Sequence, residues 1–258
     1  MKASIHPTAV VDPSAELAEG VEIGPYAVVG RESRLGRGTT VGAHAVIGPH
    51  TTLGESNRVF PHACVGLDPQ DLKYKGEKSL LVVGDDNTFR EFCTLNRGCG
   101  EGNATRVGSH NLMMAYSHVG HDCVLGSHLV LANSVALAGH VVVEDHVGIG
   151  GLVGVHQFCH VGEHCMIGGG AMVSKDVVPY VMVSGDIPQL FGLNLVGLKR
   201  AGFGRDVIRV LEEAYRTLFR SNLNTSQALA ALAGAASQSP QVAHLVEFIK
   251  GSERGIQK

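Results

Sequence analysis

Stepping by six from Ile5, the chain returns to an apolar residue almost every time: Ile5, Val11, Leu17, Ile23, Val29, Leu35, Val41, Ile47, Leu53, Val59, Val65. The series resumes in register at Val83, Phe89 and Leu95, and again from Val107 to Val173. Of the 29 slots between 5 and 173, 26 are apolar. The exceptions, Asp71, Glu77 and Glu101, fall in two polar stretches, 67–80 and 97–105. With 44% apolar residues overall, chance would give this on the order of once in 10⁶ sequences, even with six registers to choose from. Glycine follows the apolar residue in 14 of the 26 hexads. The fifth position is small, as at Ala9, Ala27, Thr39, Ala45, Ala63 and Ala171. Cys93, Cys99, Cys123, Cys159 and Cys165 share it, which reads as small core residues rather than metal ligands.

A period of six suits neither a helix nor a hairpin meander. A short strand and a tight turn, taken three times, make one triangular coil of 18 residues, with the aliphatic residue inward and the small one at the corner. The predicted fold is therefore all-β, a left-handed parallel β-helix of about nine to ten coils over 1–186. The stretches 67–80 and 97–105 are read as loops ejected without loss of register. Over 187–258 the pattern turns helical, giving a small C-terminal helical domain. Its expected helices cover Asn194–Arg200, Arg205–Ser221 and Ser226–Ala236, with a last one capped by Ser239 and opened by Pro240. Helices of this size bury little core alone, so they are expected to pack on the prism or on a neighbouring chain.

Net charge is −3, which argues against a partner built of nucleic-acid phosphates. No apolar run is long enough to span a bilayer, and the first twenty residues lack the apolar core of a signal peptide. These features predict a soluble cytoplasmic protein with reduced thiols.

Fourteen histidines invite a chemical reading. His110, His128, His146 and His164 share the fourth hexad position at coil spacing, as do His44 and His62. Such a column is either a set of turn residues or a metal site. His121 instead takes the third position, with Asp122 beside it to orient the ring. Its column continues through Gly139 and Gln157, flanked by His140 and His156, with His118 nearby. A histidine base held by a carboxylate beside a backbone N–H suits acyl transfer to a hydroxyl. A structural polar cluster at a subunit contact would use the same residues. In the loop 67–80, Lys73 and Lys75 could meet a phosphate, while Gln70 and Asp71 could hold hydroxyl groups; a solvated charged loop is the plain alternative.

Taken together, Gln70-Asp71-Leu72-Lys73-Tyr74, His118-x-x-His121-Asp122, Leu137-Ala138-Gly139-His140, Val155-His156-Gln157-Phe158-Cys159 and Gly197-Leu198-Lys199-Arg200-x-Gly202-Phe203 resemble the bacterial UDP-N-acetylglucosamine O-acyltransferases of lipid A biosynthesis. The resemblance implies a homotrimer with active sites between adjacent prisms. It implies transfer of a 3-hydroxyacyl group from acyl carrier protein to the 3-hydroxyl of UDP-N-acetylglucosamine. The catalytic base then falls on His121, its orienting partner on Asp122 and the oxyanion donor on the N–H of Gly139. Asp71 and Lys73 match positions at the sugar. His118, His140, His156, Gln157, Asn194 and Arg200 match positions along the nucleotide and phosphopantetheine channel. Gly169 matches the residue limiting acyl length, which implies a donor near fourteen carbons. Neither metal nor further cofactor is implied, since the thioester is already activated. Two positions depart from the family pattern: Asn96, often histidine, and Val196, often acidic. Competing expectations are a related N-acyl- or acetyltransferase, a zinc hydratase of the γ-carbonic-anhydrase type and a non-catalytic scaffold. Hexads that begin at Ile5 argue against the N-acyltransferase.

Overall fold

In the computed structural model, which describes residues 2–258, short strands recur from Ser4–Ile5 to Met172–Val173. Each pairs in parallel with the strand one coil away, giving three sheets of eleven, nine and eight strands. The first sheet opens with Ser4–Ile5, the second with Val10–Val11 and the third with Glu16–Leu17. The result is a left-handed parallel β-helix. Its core is a stack of single aliphatic residues, one per strand, among them Ile47, Val65, Leu131, Leu137 and Ile167, all fully buried. Each such side chain contributes about 1.5–3 kcal/mol on burial.

Register survives both interruptions. Thr40 pairs with Arg58, 18 residues on; Arg58 pairs with Thr88, 30 on; Thr88 pairs with Leu112, 24 on. The loops therefore add twelve and six residues to a coil, and the inward slots stay inward. Cys93, Cys123, Cys159 and Cys165 are buried at the corners as expected, whereas Cys99 is only half-buried. It lies on the second ejected loop, so its place in the hexad count has no corner to fill.

The histidine columns have a backbone cause. Of 19 non-glycine residues with positive φ among those described, 18 occupy the fourth hexad position, eight of them histidines. That position turns most corners through the left-handed region, which histidine, aspartate and asparagine enter more readily than most residues. Rings at successive corners then stack: His110, His128, His146 and His164 lie 4.9, 4.6 and 4.6 Å apart, centroid to centroid. Tyr26, His44, His62, Phe92 and Tyr116 form a second ladder.

Helix does not begin directly after 186. Val181–Ser184 extends the first sheet, and Gln189–Leu193 folds back antiparallel on it through a turn at Gly185, where φ is 100°. The helices are α1 (Leu195–Arg200), α2 (Arg205–Phe219), α3 (Thr225–Ala231), α4 (Ala233–Ala236) and α5 (Pro240–Gly251). The single helix expected over Ser226–Ala236 is thus two short ones that meet at Leu232, and it starts earlier, where Asn224 and Gln227 form a capping box. Ser239 caps α5 as predicted, accepting from the N–H of Val242. This last helix covers the upper third sheet, where Phe248 meets His160 at 4.4 Å. Among the described residues no helix is long and apolar enough to cross a membrane.

Candidate active site

His121 lies between the strands His118–Val119 of the second sheet and Val124–Leu125 of the third. The next residue, Asp122, takes the left-handed corner position with φ 59°. That turn folds its carboxylate back on the preceding ring: His121 Nδ1 stands 2.8 Å from Asp122 Oδ2. The carboxylate is fixed in turn by the N–H of Cys99 on the second ejected loop, at 3.0 Å, and the Asp122 N–H donates to Thr105 Oγ1 at 2.8 Å. With a carboxylate acceptor at Nδ1, the ring carries its proton there and keeps Nε2 as a free acceptor. Nε2 faces Asp71 Oδ2 at 3.7 Å, so the first ejected loop reaches across to it.

One coil above, the ring of His121 lies over Gly139. A Cβ at Gly139 would stand 2.6 Å from His121 Nε2, so no larger residue fits without moving the base. The Gly139 N–H makes no hydrogen bond among the described residues and is free to donate to a ligand. His140 meets His121 edge-on at 5.1 Å and stacks on Phe158 at 4.6 Å. His118 shares a 2.8 Å hydrogen bond with Thr94 Oγ1, and burial, then the neighbouring His121, holds it below the usual imidazole range. It therefore stays neutral near pH 7. His156 and Gln157 are exposed two coils above His118 and His121, the His156 Nδ1 lying 3.1 Å from the Gln157 carbonyl. Burial pushes the Cys123 thiol up to about 12 and also raises Cys99, so neither is a ready thiolate nucleophile.

The predicted residues divide among three corners. His118, His121, Asp122, Gly139, His140, His156 and Gln157 share the corner between the second and third sheets, and Asp71 joins them from its loop. Lys73 is exposed two residues on, its N–H donating to Asp71 Oδ1. Gln70 lines a recess at the loop's base with Thr94 and Asn96. The Asn96 Nδ2 donates to the Asp68 carbonyl at 2.7 Å, so this departure from the family pattern has a structural task. Asn194 and Arg200 sit elsewhere, lining a cavity of about 640 Å³ with His128, His146, Met166, Met182 and Val196 along the first sheet. Asn194 also caps α1, accepting from the Gly197 N–H. Gly169 is at the remaining corner, between first and second sheets.

His121, Asp122 and His140 each place a donor atom within 4.8 Å of the others, a metal-like spacing. The donors are poorly disposed for an ion, because Asp122 Oδ2 already receives His121 Nδ1 and the Cys99 N–H. Sequence reading passed over Thr94, Thr105 and Cys99, whose contacts arise between coils. It also passed over Arg97, whose position was legible: like His121 it follows the inward residue by two.

Residues 176–257 match a family model described as UDP N-acetylglucosamine O-acyltransferase, domain 2. An acyl-(acyl-carrier-protein)–UDP-N-acetylglucosamine O-acyltransferase of Myxococcus xanthus is 52% identical over 255 residues, spanning 98% of this chain and 99% of its own. A protein of the same name from Trichlorobacter lovleyi is 56% identical over 257 residues, 98% of each chain. The solved structure of LpxA from Acinetobacter baumannii superposes with a TM-score of 0.95 at 44% identity, covering 98% of this chain and 99% of that one.

Proposed function

This chain belongs to the UDP-N-acetylglucosamine O-acyltransferase family, and from that premise we propose how its own residues carry out the transfer. It is an acyltransferase that moves a (3R)-3-hydroxyacyl group from acyl carrier protein to the 3-hydroxyl of UDP-N-acetylglucosamine, the first step of lipid A biosynthesis. The observation that carries the mechanism is the His121–Asp122 pair with Nε2 open toward the loop that bears Asp71. His121 Nε2 takes the proton of the sugar 3-hydroxyl as its oxygen attacks the thioester carbon. The negative charge on the former carbonyl oxygen is met by the Gly139 N–H. As that intermediate collapses the C–S bond breaks, and the departing phosphopantetheine sulfur receives the proton from His121. Asp122 keeps the ring in the required tautomer and favours its charged form during transfer. Asp71, Lys73 and Gln70 receive the sugar; His118, His140, His156, Gln157, Asn194 and Arg200 line the path of nucleotide and pantetheine arm.

No metal or further cofactor takes part: a thioester needs only a base and an oxyanion donor, and Asp122 Oδ2 already meets His121 and the Cys99 N–H. A donor on acyl carrier protein and a nucleotide-sugar acceptor favour a cytoplasmic enzyme.

The working form is a homotrimer. The third face of the prism exposes Val124, but it also carries a surface ion pair and a helix. The third sheet presents Glu16 and Arg34, paired at 3.2 Å, and is capped above by α5. The first and second sheets leave Val130, Met182, Val10, Val28 and Met172 exposed. Packing the first sheet of one prism on the second of the next, with the Gly169 corners inward, closes a three-fold ring. It sets the Asn194–Arg200 cavity of one chain opposite the His121 corner of its neighbour, which joins what a single chain holds apart. The experiment is an assay of the full chain with 3-hydroxyacyl carrier protein and UDP-N-acetylglucosamine, beside His121→Ala. Turnover that disappears with His121 supports the reading, and an inactive wild type overturns it.

A further inference from the structure

We propose that Arg97 is the positioning residue that holds the sugar-binding loop against the base, and so sets the affinity for the sugar nucleotide. The inference rests on the acyltransferase reading, in which Asp71 and Lys73 meet the sugar. Leu95 pairs with Val119, so Arg97 lies one coil below His121 at the same turn position. It is 3% exposed. Its Nη1 donates to the Gly66 carbonyl at 2.8 Å; its Nη2 donates to Asp68 Oδ1 at 2.5 Å and to the Tyr74 hydroxyl at 2.9 Å. The Arg97 N–H adds a bond to the Leu67 carbonyl. One guanidinium therefore ties both ends of the segment carrying Asp71, which lies three residues from either tie. Between those ties Gln70, Leu72 and Lys73 are exposed, with little packing of their own to order them.

A buried guanidinium is a costly way to fill a turn, and here its Nε has no hydrogen-bond partner. What distinguishes this corner is the loop, and the fork geometry of arginine reaches three acceptors on two strands of backbone at once, which an ammonium does not. The far end of the loop is held separately, by Lys78 on Glu32 and by Glu77 on the Gly100 N–H. Loss of Arg97 would thus release Asp71 and Lys73 without unpairing the prism.

The test uses the full-length enzyme with Tyr74→Phe, Asp68→Asn, Arg97→Met and Arg97→Lys, measuring KM for each substrate, kcat and hydrogen exchange over 68–76. Tyr74→Phe removes one tie and Asp68→Asn removes the charge of another, both at exposed or half-exposed partners, so they keep the test open if Arg97→Met does not fold. The expected result is a several-fold rise in KM for UDP-N-acetylglucosamine in each single-tie variant, and roughly tenfold or more in Arg97→Met, as one or more charge-assisted bonds are lost. KM for the acyl carrier protein should stay within twofold, exchange over 68–76 should speed up, and Arg97→Lys should recover part of the loss. Unchanged exchange and unchanged sugar KM would overturn the proposal, as would a fall in activity that tracks folded fraction alone. Were the wild type inert toward this substrate pair, the acyltransferase reading would fail, and exchange over 68–76 would still decide whether Arg97 holds the loop.

Discussion

At the scale of single residues, catalysis here depends on where one imidazole nitrogen points. Asp122 can orient His121 only because the left-handed corner brings adjacent side chains together, a geometry that extended neighbours never reach. Replacing His121 with alanine is expected to lower kcat by roughly 10²–10⁴, the usual range for a lost general base, with a smaller effect on KM. Asp122→Asn should lose less, since the ring keeps a hydrogen-bond partner. Gly139→Ala makes a sharper claim: its methyl would stand 2.6 Å from Nε2, and displacing a base by about an ångström can cost roughly a hundredfold. Steady-state kinetics of the three variants check this, and an active Gly139→Ala enzyme would mean the base works from another position. Gly169 poses a different question. Its φ is not in the left-handed region, which here belongs to Gly170 at 75°, and a Cβ would stand 3.2 Å from the Gly151 carbonyl oxygen and 3.7 Å from the Gly151 nitrogen, a tight fit that a small shift relieves. The turn therefore does not require glycine there, which leaves room for an acyl tail as its use. We expect wild type to prefer donors near fourteen carbons and Gly169→Met to shift toward ten, at about 0.8 kcal/mol for each buried methylene. A donor series from ten to sixteen carbons decides it.

Among elements, the junction of prism and helix carries a charged cluster. Glu144 accepts from His244 Nε2 at 2.7 Å and from the Glu163 N–H, and His160 Nε2 lies 2.9 Å away. Burial works to raise this carboxyl, but the bonds from His160, His244 and Glu163 outweigh it and bring it down to about 2. Its hydrogen bond with Glu144 holds His244 above the usual imidazole range against partial burial. Glu163, itself bonded by the Tyr180 hydroxyl, adds to the negative field. A raised histidine stabilises below its unfolded value and loses that contribution as pH rises through its folded value; a depressed carboxylate stabilises above its unfolded value and loses it as pH falls toward about 2. The clasp is therefore strongest in mildly acidic to neutral solution. Thermal unfolding against pH should show a decline just above the ordinary histidine range, and His244→Ala should flatten it. A decline that persists in the variant would place the titrating group elsewhere.

For the whole molecule, the proposed trimer follows from where its sites lie. The His121 corner and the Asn194–Arg200 cavity lie on different edges of one chain, so a lone prism cannot bring both to one substrate. Sedimentation equilibrium should give three chains per particle, with activity falling on dilution below the dissociation constant. A fully active monomer would remove the shared site. Turnover should also be unaffected by a chelator, whereas loss of activity with one zinc per chain would favour the hydratase expectation.

The amino-acid sequence by itself determined the prism, because an inward slot every six residues leaves only one way to bury 26 apolar side chains in 18-residue coils. It also determined that the interruptions would be ejected, since each adds whole hexads and so flips no side chain. The nearness of His121, Asp122 and Gly139 was legible for the same reason: coil spacing places His121 and Gly139 in one column and Asp122 in the next. The strand Gln189–Leu193 was not, because its pairing is antiparallel and follows no six-residue count. Nor were the bonds from Arg97 and the Cys99 N–H, or the one Thr105 accepts from Asp122, which join loops and coils some seventeen to thirty-one residues apart. Periodicity fixes which residues share a face. Only tertiary structure decides which loop folds over that face and which backbone group it offers there, since those contacts depend on distances the repeat does not encode.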